Sequence, residues 1–441
     1  MKRIFPAYTY GDAPRANCYW PATADLPDVE TASGTLHADI AIIGAGYTGL
    51  NAALRLSEAG EDVIVLDTHA PGWGASGRNG GFCGLGGSKA SDPMLKLMFG
   101  EAARREYRLA EWEAVKHVTR TLSKHNIDVD AHSEGETVVA HTPKAFKGFE
   151  YEAKQTEADL GVTPTIIETQ NMPKHGLGAN FHGAMTTPIG FAINPLKYVR
   201  GLVDAATKAG VRIFGHSPVQ RIDHSQGFTL TTDAAQINAK RLIVATNGYS
   251  SDDLPDWLRN RYLPTQSNIL VTRPLSDDEI TAQGWTSHQM CHDYRTLLHY
   301  FRLMPNKQML FGMRGGMFSS PGADARMYKT IRRHFDTMFP AWSHVETPYS
   351  WNGLISMAQD LTPYAGPIPE MEGAYTALCY HGNGVAMGSY AGALLADQIL
   401  GKTGDLLHPK VMHSPHKKFP LGRLRRATLW PVYAYAGMTG N

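Results

Sequence analysis

Residues 37 to 67 leave this chain few choices of fold. His37-Ala-Asp-Ile-Ala-Ile-Ile43 is a short apolar run that ends on Gly44-Ala-Gly46-Tyr-Thr-Gly49. Leu50 to Ala59 then reads as a helix, with Leu50, Ala53, Leu54 and Ser57 on one face and Gly60 at its C-cap. Val63-Ile-Val-Leu66 is a second apolar run, closed by Asp67. Strand, glycine turn, helix and strand in about 30 residues make a βαβ unit. Both strands lack polar alternation, as parallel strands covered on both faces do.

The glycine spacing carries chemistry in this context. Gly44 allows a tight turn, Gly46 lets the backbone approach a pyrophosphate, and Gly49 lets helix and strand pack closely. Tyr47 and Thr48 open the helix, whose free N–H groups attract phosphate. Asp67 stands 23 residues after Gly44, near the spacing of about 20 at which an acid meets ribose hydroxyls. Gly72-Trp-Gly74-Ala-Ser-Gly77 repeats the letters but has no such strand before it. A bare glycine turn without a ligand is the weaker reading.

Lys plus Arg is 42 and Asp plus Glu is 41. That balance argues against a dedicated nucleic-acid binder. The start MKRIFPAYTY has no apolar stretch behind it, and no window suits a spanning helix. Cys18, Cys83, Cys291 and Cys379 form no C-x-x-C pair, which points to a reducing, cytoplasmic setting. Only one dinucleotide fingerprint of this kind occurs, and no dithiol is available to relay electrons. An FAD enzyme would then take its electrons directly from a small substrate. The glycine-dense loop Pro71 to Gly87 also favours FAD over NAD.

Further along, helices are predicted over 93–126, 144–160, 195–209, 327–338 and 385–400. Strands are predicted over 136–140, 211–214, 228–232 and 241–245. Others follow over 269–272, 296–301 and 308–311. Residues 1–36 read as an irregular arm on the surface. His408, His413 and His416 fit no metal motif and read, with their neighbouring lysines, as a solvated run. Arg423 to Arg426 and Leu429-Trp-Pro-Val-Tyr433 read as a docked terminal segment rather than a membrane or partner contact.

Four segments together resemble the D-amino acid oxidase-like FAD-dependent oxidoreductases, which include glycine and sarcosine oxidases. They are Asp39 to Gly49, Gly74-Ala-Ser-Gly-Arg-Asn-Gly-Gly81, Ala245-Thr-Asn-Gly248 and Tyr380-His-Gly-Asn-Gly384. Pro274-Leu-Ser276, Tyr300-Phe-Arg302 and Trp351-Asn-Gly353 are similar to a branch that oxidises a polyamine derivative. The resemblance runs from about residue 17 to the C-terminus. It implies an α/β fold (α+β overall): a Rossmann-type FAD-binding domain interleaved with a mostly antiparallel β-sheet substrate domain. The expected divisions are 30–130, 185–255 and 352–441 for FAD, 131–184 and 256–351 for substrate, and 1–29 as the arm.

The resemblance also implies roles. Gly44, Gly46 and Gly49 would hold the pyrophosphate, Asp67 the ribose, and Val219 the adenine. Ser76, Arg78, Asn79 and Gly80 would lie along the flavin, with Asn247 and Gly248 nearby. Gly382, Asn383, Gly384 and Val385 would open a helix at its pyrimidine end. Cys83 and Cys379 lie near flavin motifs but in no covalent-attachment context, so the FAD is expected to be non-covalent. The implied reaction is oxidation of a C–N bond to an imine, with O2 or another acceptor taking the electrons. His381, Tyr300, Arg302 and Trp351 are the candidate active-site residues. Tyr300 and Arg302 share a strand face by alternation. Arg302 is the first candidate for a substrate carboxylate, and Arg314 the second. Each has a structural alternative: a turn cap for His381, an ion pair for Arg302, core packing for Trp351. The segment 263–268 lacks the lysine that sarcosine oxidases use toward oxygen, which weighs against efficient oxidase activity. Rival readings are an oxidase or dehydrogenase of glycine, sarcosine or a D-amino acid, and a flavin-binding sensor. Oligomeric state is open at this point.

Overall fold

The computed structural model describes residues 1–402 and 404–439. Two eight-stranded sheets dominate it. The first runs Tyr364–Pro367, Ala374–Leu378, Ala235–Val244, Gly34–Ile43, Val63–Leu66, Arg212–Phe214, with Phe228–Thr231 and Arg221–Asp223 branching from Ala235–Val244. Gly34–Ile43 is parallel to both of its neighbours. Ile40, Ile42, Val63 and Val65 face one buried cluster, and Ala41, Ile43, Ile64 and Leu66 face another. The absence of alternation in the sequence is thus two covered faces.

The Tyr47–Ser57 helix lies on the first face, against the Pro195–Lys208 and Ala386–Ile399 helices. Ala386–Ile399 is buried almost all round, which explains its largely apolar sequence. A Cβ on Gly392 would fall 2.2 Å from the Thr48 carbonyl oxygen, so glycine sets how closely these two helices cross.

The second sheet runs Tyr349–Met357, Leu263–Val271, Met309–Arg314, His299–Leu303, Met290–Asp293, Glu136–Val139, Ala184–Thr187, Thr165–Ile167. Only its Met290–Asp293 and Glu136–Val139 strands pair in parallel. The predicted 93–126 helix is two, Asp92–Phe99 and Glu101–His125, because Gly100 takes a positive φ of 89° between them.

The first 36 residues are not a surface arm. Three short 3-10 helices and the strand start at Gly34 occupy them. Phe5, Tyr10, Tyr19 and Trp20 are buried. Trp20 donates from its indole N–H to the Asn79 carbonyl at 2.9 Å. Nor are the C-terminal histidines uniformly solvated. His413 is exposed, but His416 is buried and its Nε2 lies 2.9 Å from the Thr362 carbonyl. No His, Cys, Asp and Glu group suited to a metal occurs among the described residues. Arg425 anchors the terminal segment: it is fully buried and paired with Asp252 at 2.6 Å. Among the described residues, no helix is long and apolar enough to cross a membrane.

Candidate active site

Two cavities meet at the Pro71–Gly87 loop. The first is lined by Gly44, Gly46, Tyr47, Thr48, Asp67, Ser76, Asn79, Val219, Asn247, Gly248, Gly382, Gly384 and Val385, among others. The predicted nucleotide residues therefore converge, although they come from six separate stretches of chain.

Local geometry explains why. Gly44 has φ +110°, and a Cβ there would fall 2.7 Å from the Ala245 carbonyl oxygen. Gly49 lines neither cavity; its Cβ would fall 1.9 Å from the Gly44 carbonyl oxygen. Its part is the close approach of helix and turn. The Asp67 carboxylate accepts N–H bonds from Ala45 at 2.8 Å and His69 at 2.9 Å. Burial nonetheless pushes its pKa up to about 6. Ser76 Oγ accepts from the Tyr47 N–H at 3.0 Å, and Asn247 Oδ1 from the Cys379 N–H at 3.0 Å. Asn79 ties the loop together: its Oδ1 accepts from Gly81, and its Nδ2 donates to Ala75 and Ser76.

The second cavity is lined by Arg78, Gly80, Asn383, Tyr300 and Arg314, with Lys89, Glu136, Ser267 and His292. Ala75, Asn79, Leu354, Ile355, Gly382 and Val385 line both cavities. Arg78 is buried between Trp73 and Tyr249, 4.6 and 5.3 Å from the ring centroids. Its Nη1 reaches the Asn352 carbonyl at 3.3 Å, while Nε and Nη2 have no partner in the protein. Buried donors without acceptors are costly, and a group rich in acceptors seated along this loop would satisfy them. With the bare glycine backbone of residues 44–49 and the Asp67 carboxylate, the residues present fit FAD.

Tyr300 is oriented by Ser267, with 2.8 Å between the hydroxyls, and burial pushes its phenol up to about 12. Arg314 lies against Gly382; a Cβ there would meet its Nη2 at 2.0 Å. No carboxylate pairs with Arg314 among the described residues, and burial lowers its pKa.

Three of the four candidate active-site residues stand behind the cavity wall. Arg302 is fully enclosed, donating to the Ile193 carbonyl at 2.8 Å and lying 3.0 Å from His132 Nε2. It has neither an open face toward substrate nor the expected ion pair, because the loop at Gly81 covers it. His381 accepts at Nε2 from the Ala358 N–H, 3.1 Å away. Its Nδ1 proton therefore points to the Gly87 carbonyl at 2.9 Å. Burial lowers its pKa to about 3, so it is a neutral clamp between two loops. Trp351 donates to the Arg78 carbonyl at 2.7 Å and backs the loop from behind. Cys83 and Cys379 are buried free thiols that line neither cavity, and burial pushes both pKa values up.

Sequence reasoning missed Lys89, Glu136, His292 and Ser267. Lys89 is exposed but lines the cavity, where desolvation and the neighbouring Arg314 lower its pKa to about 7. The cavity thus holds an amine from outside the 263–268 segment. The available signal was the Glu136–Val139 run, where Glu136 shares a strand face with Val138.

The FAD dependent oxidoreductase (DAO) family profile matches residues 39–398. The probable oxidoreductase OrdL of Haemophilus influenzae is 31% identical over 83% of each chain. The gamma-glutamylputrescine oxidoreductase of Escherichia coli is 28% identical over 92% of this chain and 94% of its own. Among solved structures, glycine oxidase from Geobacillus kaustophilus superposes with a TM-score of 0.69 at 18% identity. It covers 87% of this chain and 100% of that one, a likeness of fold.

Proposed function

This chain belongs to the FAD dependent oxidoreductase (DAO) family, and we propose that it oxidises the C–N bond of a small amine or amino acid, as a gamma-glutamylputrescine oxidoreductase does. The observation that carries this reading is the junction of the two cavities along one loop. A dinucleotide in the first would present its reactive end to a small molecule in the second.

When bound, FAD supplies a two-electron acceptor that takes hydride from the carbon beside the amine nitrogen. The substrate leaves as an imine that water hydrolyses, and the electrons pass to O2 or another acceptor. The protein's part is binding, orientation and exclusion of water. Arg314 is an unpaired guanidinium that suits a substrate carboxylate. The Tyr300 hydroxyl, held 2.8 Å from the Ser267 hydroxyl, stays protonated beside the cavity. The low-dielectric wall favours the neutral amine, the form that can release hydride. The Ala386–Ile399 helix has no acidic residue in its first turn, and its N-terminus stabilises negative charge that develops beside Gly382–Val385. Gly44, Gly46, Asp67 and Val219 would hold the nucleotide, and Arg78, Asn79 and Gly80 would hold the flavin end. With both flavin-side thiols walled off, the FAD is held without a covalent bond. Four free cysteines support a reducing compartment, the cytoplasm.

The test is anaerobic titration of the FAD-loaded protein with gamma-glutamylputrescine, putrescine, sarcosine, glycine and D-alanine. Loss of the long-wavelength flavin band with gamma-glutamylputrescine or another amine is expected. Readmitting air then shows whether O2 is the acceptor. A flavin that none of these compounds bleaches overturns the reading.

A further inference from the structure

We propose that Glu136 is a receptor for a second, non-reacting cationic group on the substrate, so that the cavity selects elongated amines bearing such a group. The inference rests on the amine-oxidising reading and adds a substrate class to it.

The floor of the second cavity is one face of the second sheet. Ser267, Arg314, Tyr300, His292 and Glu136 all project from that face into the cavity. They come from five successive strands, so the floor reads as a line from a cationic end to an anionic end. Arg314 marks the end beside Gly382, where both cavities meet. Glu136 marks the other end, three strand steps away. At about 4.8 Å per step the two poles stand about 14 Å apart across the strands, and the register offsets them by a further four residues along the strands.

Glu136 is unusual among the carboxylates here. It accepts no hydrogen bond from the chain among the described residues. Among the described residues its one ion-pair partner is His292 at 3.6 Å, which counts only when that imidazole is protonated. Lys89 shares the cavity but makes no ion pair with Glu136. A Cβ on Gly84 would fall 2.5 Å from Glu136 Oε2, so the glycine loop leaves the carboxylate its room. Burial raises the Glu136 pKa, which His292 and Lys89 only partly offset. An enclosed carboxylate without donors is costly to keep, and a ligand ammonium would supply the missing donors. Among the described residues, the alternative of an internal ion pair rests on the 3.6 Å contact with His292 alone, without a hydrogen bond, and Lys89 makes no such contact.

The experiment compares putrescine with butylamine, which differ by one ammonium group. Affinities for the FAD-loaded protein are measured anaerobically at pH 8 by calorimetry, alongside flavin reduction. Wild type is expected to bind putrescine at least about tenfold more tightly than butylamine. Glu136→Gln is expected to lose that preference while holding butylamine within about twofold, with FAD content and Tm reporting an intact fold. Equal affinity of wild type for the two amines overturns the proposal, even if the variant does not fold. So does a Glu136→Gln preference equal to that of wild type. If no compound reduces the flavin, the oxidation reading fails, yet the affinities still decide the role of Glu136.

Discussion

Arg314 and Arg302 stand on neighbouring strands, Arg302 under the loop at Gly81 and Arg314 against the turn at Gly382. Arg314 lines the cavity with no carboxylate partner among the described residues, whereas Arg302 uses its Nη1 and Nη2 on His132 and the Ile193 carbonyl. Arg314→Met is therefore expected to raise KM for a carboxylate-bearing substrate by about 10- to 100-fold while FAD loading is kept. Arg302→Met is expected to lower stability by about 1–3 kcal/mol through the stranded carbonyl. Its KM should move less than about twofold. Steady-state kinetics with urea melts separates the two, and a large KM change in Arg302→Met reverses the assignment. Lys89 adds a pH signature. Its folded pKa, about 7, lies below the ordinary 10.5. Below pH 7 the fold carries that ammonium at a cost the unfolded chain does not bear. As pH rises from 7 toward 10.5, only the unfolded chain still holds the proton, and the penalty fades. Lys89→Met should then raise stability at pH 6 by about 1 kcal/mol, a figure discounted for water in the cavity. The gain should vanish near pH 10, as followed by Tm across that range. A gain that does not change with pH would mean Lys89 acts by packing alone.

At the scale of elements, the strand–turn–helix of residues 34–57 works because two backbones touch. Gly49→Ala sets a methyl 1.9 Å from a carbonyl oxygen that cannot move aside without shifting the turn. The expected cost is about 3 kcal/mol or more, with loss of bound FAD. Gly60, at the other end of the same helix, has φ +94° with nothing within 4 Å of a Cβ. Gly60→Ala should cost only about 1 kcal/mol of backbone strain and keep the FAD. Flavin content after gel filtration distinguishes the pair; equal losses would remove the argument from close approach. The order strand, turn, helix, strand and acid was legible in the sequence, since these lie within a few dozen residues, but not its bounds: the strand starts at Gly34 rather than His37, and the helix spans Tyr47–Ser57 with Glu58, not Gly60, at its C-cap. The helix break at Gly100 was not anticipated, although a glycine between two helical stretches is its visible cause.

For the whole molecule, the N-terminal segment joins both halves of the site. Met1, Arg3 and Tyr10 line the first cavity, and Trp20 props the loop at Asn79 and lies 5.6 Å from the Arg302 guanidinium. Trp20→Ala should cost about 3–5 kcal/mol and hasten FAD release, measured as flavin fluorescence after dilution; unchanged release would leave the segment a packing role only. Composition made residues 1–36 look like a surface arm, because an irregular chain shows no period by which burial can be read. The sequence by itself determined the dinucleotide fold, the residues converging on its cleft and the strands covered on both faces. These follow from short-range sterics and from side-chain period. Only the tertiary structure decided that Arg314 and not Arg302 lines the second cavity, that His381 is a clamp, and that Glu136 and Lys89 enter the cavity. Those residues meet across strand order and loop placement spanning more than a hundred residues, and no local pattern encodes which face of a distant strand a loop will cover.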